Sequence, residues 1–390
     1  MSAQIIHSAK LVTGPAVVDD GWVVFTDDKV TAVGTGETWR EHAPTIARVR
    51  DARGLILTPG FVDIHCHGGN AAAFDDGSDA IHTALRAHRA SGTTRSVISL
   101  VSGNHASLVQ NLSAIAELVA GDPLILGSHL EGPFLHPSFK GAHSPEALRN
   151  PTAREIDELL SAANGTLRQV TLAPELDGAL DAIAQLSSAG VTVAIGHTSA
   201  DYDQTLAAID AGALLLTHAF NAMNGIHHRE PGPITAAISR ESVILEVIND
   251  GVHVHPEVVK MLFASAPGRV ALITDAMAAA CATDGHYRLG SLDVTVTDGV
   301  ARLSESGSIA GSTLTMDAAV RRAITEVGLS LPQAVAAATA VPAQAIGCSG
   351  DLGSLAPGFA ADAVLLDAEL RVRAVWAAGR ELPRPALPDA

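Results

Sequence analysis

Between Gly60 and Asp275 the chain repeats one pattern: a short apolar run rich in β-branched residues, followed by a segment with helical spacing. The runs are GFVDIH, TTRSVISL, LILGSHLE, RQVTLAPE, VTVAIGH, ALLLTH, VILEVIND and RVALITD. Amphipathic stretches such as SDAIHTALRAHRASG, NHASLVQNLSAIAELVAG and DYDQTLAAIDAG lie between them, opened by Ser, Asn or Asp and closed by Gly, as helices are. Strand and helix in alternation call for a parallel sheet with helical crossovers. Eight such units over roughly 215 residues are what a (β/α)8 TIM barrel requires, an α/β fold.

Both ends of the chain use a different grammar. Residues 1–58 hold short alternating runs, WVVFTDD and KVTAVGTG, broken by Asp and Gly as hairpins are. The tail PGFAADAVLLD returns to strand spacing. The simplest arrangement pairs the two, giving a small β-sandwich domain built from residues 1–58 and 356–390 around a barrel over residues 59–355. Within the barrel span, YRLGSLDVTVTDGVARL reads as a hairpin insertion, and two helices follow it.

A barrel of this kind gathers its chemistry at the carboxyl ends of the strands. The first run ends on His65 and His67, which as alternate strand residues point to the same face. The third ends on Glu131, the fifth on His197, the sixth on His218 and the eighth on Asp275. A lone His-x-His is more often a strand cap beside a solvated imidazole, but five strand ends finishing in ligand-type side chains outweigh that reading. Imidazoles with a carboxylate suit zinc or a similar divalent ion, which activates water for amide or ester hydrolysis. Asp275 is then the general base.

Composition limits the partners. With 42 acidic against 25 basic residues the net charge is −17, which disfavours nucleic acid and anionic membranes, so an anionic ligand must meet a local basic pocket. Cys66, Cys281 and Cys348 form no Cys-x-x-Cys pair. The amino terminus has no basic start followed by a long apolar core, and no run of about 18 apolar residues occurs. A cytoplasmic protein is expected.

The residues resemble the amidohydrolase superfamily, and within it the N-acetylglucosamine-6-phosphate deacetylase family. LEGPF at 130–134, GAH at 141–143, HAFNAM at 218–223, REPGP at 229–233, NDGVH at 249–253 and ITDAM at 273–277 carry the likeness. It runs from PGFVDIH to the PGFAADAVLLD tail. The resemblance implies hydrolysis of the acetamide of N-acetyl-D-glucosamine 6-phosphate, in amino-sugar catabolism and cell-wall sugar recycling. It implies a principal metal on Glu131, His197 and His218. Some relatives keep one metal and replace the strand-one histidines by amides; here both are present, favouring a second ion on His65 and His67 with Glu131 bridging. The fourth run ends TLAPE, and none of Lys10, Lys29, Lys140 or Lys260 stands at a strand end, so no carboxylated lysine can bridge. The resemblance also gives Asp275 the proton transfer and His143 the polarisation of the acetyl carbonyl. Ala142, His143, Asn221, Ala222, Arg229, His253 and Ile309 would contact substrate, Arg229 and His253 at the phosphate. A homodimer is implied, with a neighbouring subunit able to complete the phosphate grip.

Other residues carry less. His255 precedes Pro256 and reads as a loop residue, His227 and His228 as solvated, Cys66 as packing and Glu175 as a hydrogen-bond partner of a ligand histidine. Two other functions stay open: an amidohydrolase acting on another amide, such as an N-acyl amino acid or a galactosamine isomer, and a barrel that has lost its chemistry.

Overall fold

The computed structural model describes residues 3–43 and 48–383. Eight strands pair in sequence order in one parallel sheet: Phe61–Asp63, Thr93–Leu100, Ile125–Glu131, Leu167–Leu172, Thr192–Ile195, Ala213–Leu216, Ile244–Ile248 and Val270–Ile273. These are the eight apolar runs. Both faces of a barrel strand are covered, so Thr93–Leu100 is buried at every position and the run need not alternate. The ring is nearly closed beyond the last strand: Asp275 N donates to His65 O at 2.8 Å and His67 N to Ala276 O at 2.8 Å.

The crossover helices start where the sequence places their caps. Asn104 accepts from Ser107 N ahead of His105–Gly121, and Asp201 forms a capping box with Gln204 ahead of Tyr202–Asp210. The insertion is a three-stranded antiparallel sheet, Gly285–Leu289, Leu292–Thr297 and Val300–Leu303, because Asp298–Gly299 supplies a second turn after the one at Gly290. Three helices follow it where two were expected: Met316–Thr325, Leu331–Ala337 and Ala340–Ala345. Pro342 has no N–H to continue the hydrogen-bond ladder, and the helical run breaks at Thr339.

A second eight-stranded sheet takes strands from both chain ends. Ala363–Leu366 lies antiparallel to Ile56–Pro59, with Val364 opposite Thr58, and Ile56–Pro59 pairs Ala3–Thr13 in parallel. Trp376, Phe25, Leu57 and Leu365 are buried in its core. Two compact units emerge: one drawn from Met1–Asp63, Arg86–Arg95 and Met316–Ala390, the other from Ile64–Leu85 and Ser96–Thr315. The candidate site residues all belong to the second.

Candidate active site

Each candidate ligand stands at or just past a strand end. Glu131 is the last residue of its strand; His197, His218 and Asp275 follow theirs by two residues. Those three have backbone φ of 49°, 25° and 47°, a left-handed conformation that costs about 1–2 kcal/mol in a residue with a Cβ. Strain held at three such positions aims their side chains inward. His65 and His67 lie beyond the end of their strand, where the backbone bonds to residues 275 and 276 and Cys66 O accepts from Ser99 N at 3.0 Å. Their rings still converge.

Glu131 is the centre of the cluster. Its Oε1 lies 3.1 Å from His197 Nε2 and 3.0 Å from His218 Nε2, and its Oε2 lies 3.0 Å from His67 Nε2. The Nε2 atoms of His197 and His218 are 3.1 Å apart, and those of His65 and His67 are 3.2 Å apart. Asp275 Oδ1 stands 3.3 Å from His67 Nε2 and 3.5 Å from His65 Nε2. Two sets of side chains thus share one carboxylate.

Hydrogen bonds on the far ring nitrogens decide what each imidazole presents. His197 Nδ1 faces Phe139 O at 2.9 Å, and His65 Nδ1 faces Glu246 Oε2 at 3.1 Å. Both partners accept only, so Nδ1 carries a proton in each, and Nε2 is the nitrogen turned to the cluster, the one a metal would take. His143 is the reverse: Ser102 N donates to its Nδ1 at 3.2 Å, which leaves the proton on Nε2, 3.4 Å from Glu131 Oε2. His143 is therefore a donor into the site, and burial, the largest influence, lowers its pKa to about 4, so it is neutral at physiological pH.

Charge in the cluster is balanced in a way that suits a cation. Burial pushes the Glu131 carboxyl up, but the charge of His65 and the bonds from His143, His197 and His218 outweigh it and hold it well below its ordinary value. Asp275 is likewise held down against burial, chiefly by His65 and His67. His67 is raised to about 10 despite its burial, by its bonds to Asp275 and Glu131. The carboxylates draw positive charge inward, as protons on imidazole or as a metal ion. Imidazole lone pairs facing each other across about 3 Å, with carboxylates between, are a donor set that a divalent ion satisfies. His65, His67, Glu131 and Asp275 have ligand atoms close enough to hold one ion.

A cavity of about 180 Å³ opens on the cluster. Ala142, His143, Asn221, Ala222, His253 and Ile309 line it together with His67, Glu131, His197, His218 and Asp275. Gly141 makes the close approach possible: a Cβ there would lie 3.0 Å from His197 Cε1, and its φ is +53°. Of these lining residues, His253 has its Nδ1 2.7 Å from Asp250 Oδ2. Burial lowers the His253 pKa, yet its bond to Asp250 and that residue's charge win, so the imidazole is raised above its ordinary value. Arg229 is not brought to this cavity. It is exposed, and its Nη1 lies 2.8 Å from His228 Nε2.

Glu175 accepts from Thr198 Oγ1 at 2.5 Å and Ser199 N at 2.6 Å, bracing the backbone just after His197. His255 caps the helix Pro256–Ser265 through Glu257 N. Sequence reasoning missed Ser102, Asp250 and Glu246. The signal for Glu246 was present, since a carboxylate inside the apolar run VILEVIND must be buried with a partner.

The Amidohydrolase family profile matches residues 56–382. The N-acetylgalactosamine-6-phosphate deacetylase of Escherichia coli O157:H7 is 38% identical over 381 residues, covering 96% of this chain and 98% of that protein. The N-acetylglucosamine-6-phosphate deacetylase of Vibrio furnissii is 36% identical over 329 residues, covering 83% and 82%. Among solved structures, a mutant of the N-acetyl-D-glucosamine-6-phosphate deacetylase of Mycobacterium smegmatis, in complex with N-acetyl-D-glucosamine-6-phosphate, superposes with a TM-score of 0.92 at 44% identity, covering 98% of this chain and 99% of the other.

Proposed function

The chain belongs to the amidohydrolase family, and from that premise we propose that it hydrolyses the acetamide of N-acetyl-D-glucosamine 6-phosphate to D-glucosamine 6-phosphate and acetate. The observation that carries this reading is one cavity lined by Glu131 and the imidazoles around it and also by His253, whose Nδ1 is paired with Asp250.

Glu131, His197 and His218 would hold a principal divalent ion, and His65 and His67, with Glu131 shared, a second. We take the metal to be zinc, at one or two ions per subunit. Bound there, such an ion polarises a carbonyl and lowers the pKa of bound water to about 7.

The chain's own groups supply the rest. Asp275 is held as a carboxylate and its Oδ1 stands 3.3 Å from His67 Nε2 on the wall of the same cavity, so it can take the proton of the attacking water. The water oxygen bonds to the acetyl carbon, the C–N bond breaks, and the same proton passes from Asp275 to the departing amine. His143 donates its Nε2–H to the acetyl oxygen as negative charge develops there. His253, held by Asp250, offers a charged donor to the phosphate. Asn221, Ala142, Ala222 and Ile309 shape the walls against the sugar.

Arg229 enters as a phosphate contact from a second copy of the chain, since in its own subunit the guanidinium lies away from the cavity. That makes a homodimer part of this reading. Among the described residues no helix is long and apolar enough to cross a membrane, and we propose the cytoplasm, where sugar phosphates are kept, as the compartment. The barrel over residues 59–355 would be the catalytic domain. A second reading, the galactosamine epimer as preferred substrate, is favoured by the E. coli relative. Acetate release measured side by side on N-acetylglucosamine 6-phosphate, N-acetylgalactosamine 6-phosphate and unphosphorylated N-acetylglucosamine tests both; activity on none of them sinks the proposal.

A further inference from the structure

A polar layer lies inside the barrel directly beneath the ligand cluster, and the hydrolytic chemistry does not use it. Glu246, in the strand Ile244–Ile248, is fully buried. Every contact on its carboxylate comes from a donor: Gln169 Nε2 donates to Oε1 at 2.9 Å, and His218 N donates to Oε2 at 3.4 Å. His65 Nδ1 completes the set at 3.1 Å. The layer continues through His129, whose Nε2 is 2.9 Å from Thr171 Oγ1 and whose Nδ1 is 2.9 Å from Ser99 Oγ. Ser99 Oγ in turn accepts from Cys66 N at 3.1 Å, next to His65 in the chain.

A carboxylate in a barrel interior is costly unless each oxygen is bonded, so its presence needs a reason beyond packing. Here the reason is geometric. His65 can bind a metal through Nε2 only if the proton sits on Nδ1, and a carboxylate that accepts but never donates imposes that tautomer. The ring of His65 is also fixed edge-on against His129, with centroids 4.6 Å apart. No other candidate ligand has a side-chain carboxylate of this kind behind it: His197 Nδ1 faces a backbone carbonyl, and His67 Nδ1 and His218 Nδ1 are buried without a hydrogen-bond partner. Glu246 also accepts from the backbone N–H of His218, at a longer 3.4 Å, but the only candidate-ligand ring it touches is that of His65, so it orients the imidazole of the His65–His67 position.

We propose that Glu246 is a positioning residue for the second ion: it fixes His65 with the proton on Nδ1 and Nε2 aimed at His67 and Asp275, and thereby sets the affinity of that position separately from the one formed by Glu131, His197 and His218. The inference rests on the metal-dependent reading above.

The test is a stepwise zinc titration of the full-length apoprotein against a chromophoric chelator, for wild type, Glu246→Gln and Glu246→Asp. In Glu246→Gln the second ion should bind about 10- to 100-fold more weakly, the usual cost of removing a carboxylate behind a ligand histidine, while the first shifts by less than about threefold. Glu246→Asp keeps the charge and should recover part of the loss. Equal weakening of both ions with a lowered melting temperature would mean that Glu246 only holds the barrel together, and unchanged binding of both would mean that it does nothing here; either overturns the proposal. A wild type that takes up a single ion also overturns it while leaving metal-dependent hydrolysis standing, whereas uptake of no ion removes both. If the Glu246 variants do not fold, nitrogen NMR on the zinc-loaded wild type decides: the His65 ring, assigned with His65→Gln, should carry its proton on Nδ1, and a proton on Nε2 contradicts the proposal.

Discussion

Replacing Asp250 by Asn probes how an acidic protein holds a phosphorylated sugar. Asp250 Oδ2 lies 2.7 Å from His253 Nδ1, and Asp250 Oδ1 accepts from Val252 N and His253 N at 2.8 Å each. Asn keeps the shape and the acceptor but removes the charge. Burial, already the largest influence on His253, then pushes its pKa downward against only the charge of Asp275. The imidazole then loses its charge at a lower pH than in wild type, and its bond to phosphate changes there from charge-assisted to ordinary. Those bonds are worth about 1.5–3 kcal/mol and about 1 kcal/mol respectively, so the loss is about 0.5–2 kcal/mol. That is roughly 2- to 30-fold in kcat/KM.

The pH dependence has a definite sign. The raised pKa of His253 means its contribution to stability is complete below about 6.5 and fades as pH rises through the folded value. The lowered pKa of Asp250 means its contribution is present above about 3.9 and is lost as pH falls through the folded value. The charged pair therefore spans the slightly acidic to neutral range, and wild-type efficiency on the phosphorylated sugar should hold there, where that of Asp250→Asn already declines. The assay is kcat/KM for phosphorylated and unphosphorylated N-acetylglucosamine across pH 6–9. Equal losses on the two substrates would refute the reasoning, because the pair would then serve the fold and not the phosphate.

Three further outcomes are expected. Asp275→Asn should lower turnover about a hundredfold or more while substrate still binds, and near-normal turnover would assign the proton transfer elsewhere. Arg229→Ala should cost roughly 2–4 kcal/mol in kcat/KM for the phosphorylated sugar and far less for the unphosphorylated one; if Arg229 acts from a second copy, co-expression with Asp275→Asn should restore part of the activity that each variant lacks alone. Replacing His65 and His67 together by Ala should reduce metal content towards one ion per chain and leave partial activity, and zinc-saturated wild type that never exceeds one equivalent would contradict a second position.

The barrel was legible because its strands are buried on both faces and so appear as unbroken β-branched runs such as TTRSVISL, each ending at a residue whose chemistry stands out. His65, Glu131, His197, His218 and Asp275 could be brought together by the fold rule alone, since carboxyl ends of barrel strands meet. What the residues could not reveal is which ring nitrogen carries a proton. That depends on Ser102 N behind His143 and on Glu246 behind His65, contacts 41 and 181 residues apart in the chain. The direction of a long side chain on an exposed loop is equally hidden. The resemblance implied that Arg229 reaches the phosphate, whereas its guanidinium rests against His228. The third strand of the insertion was also overlooked, although Asp298–Gly299 is a turn signal in its own right.

The sharpest single test of metal-dependent deacetylation is acetate release from N-acetylglucosamine 6-phosphate by one sample, with metal per chain measured as made, after chelation and after zinc is restored. Activity should vanish with the metal, return as about one to two equivalents rebind, and remain far higher on the phosphorylated than on the unphosphorylated sugar. Undiminished hydrolysis by metal-free protein would contradict the assignment of Glu131 and its histidines as a metal centre.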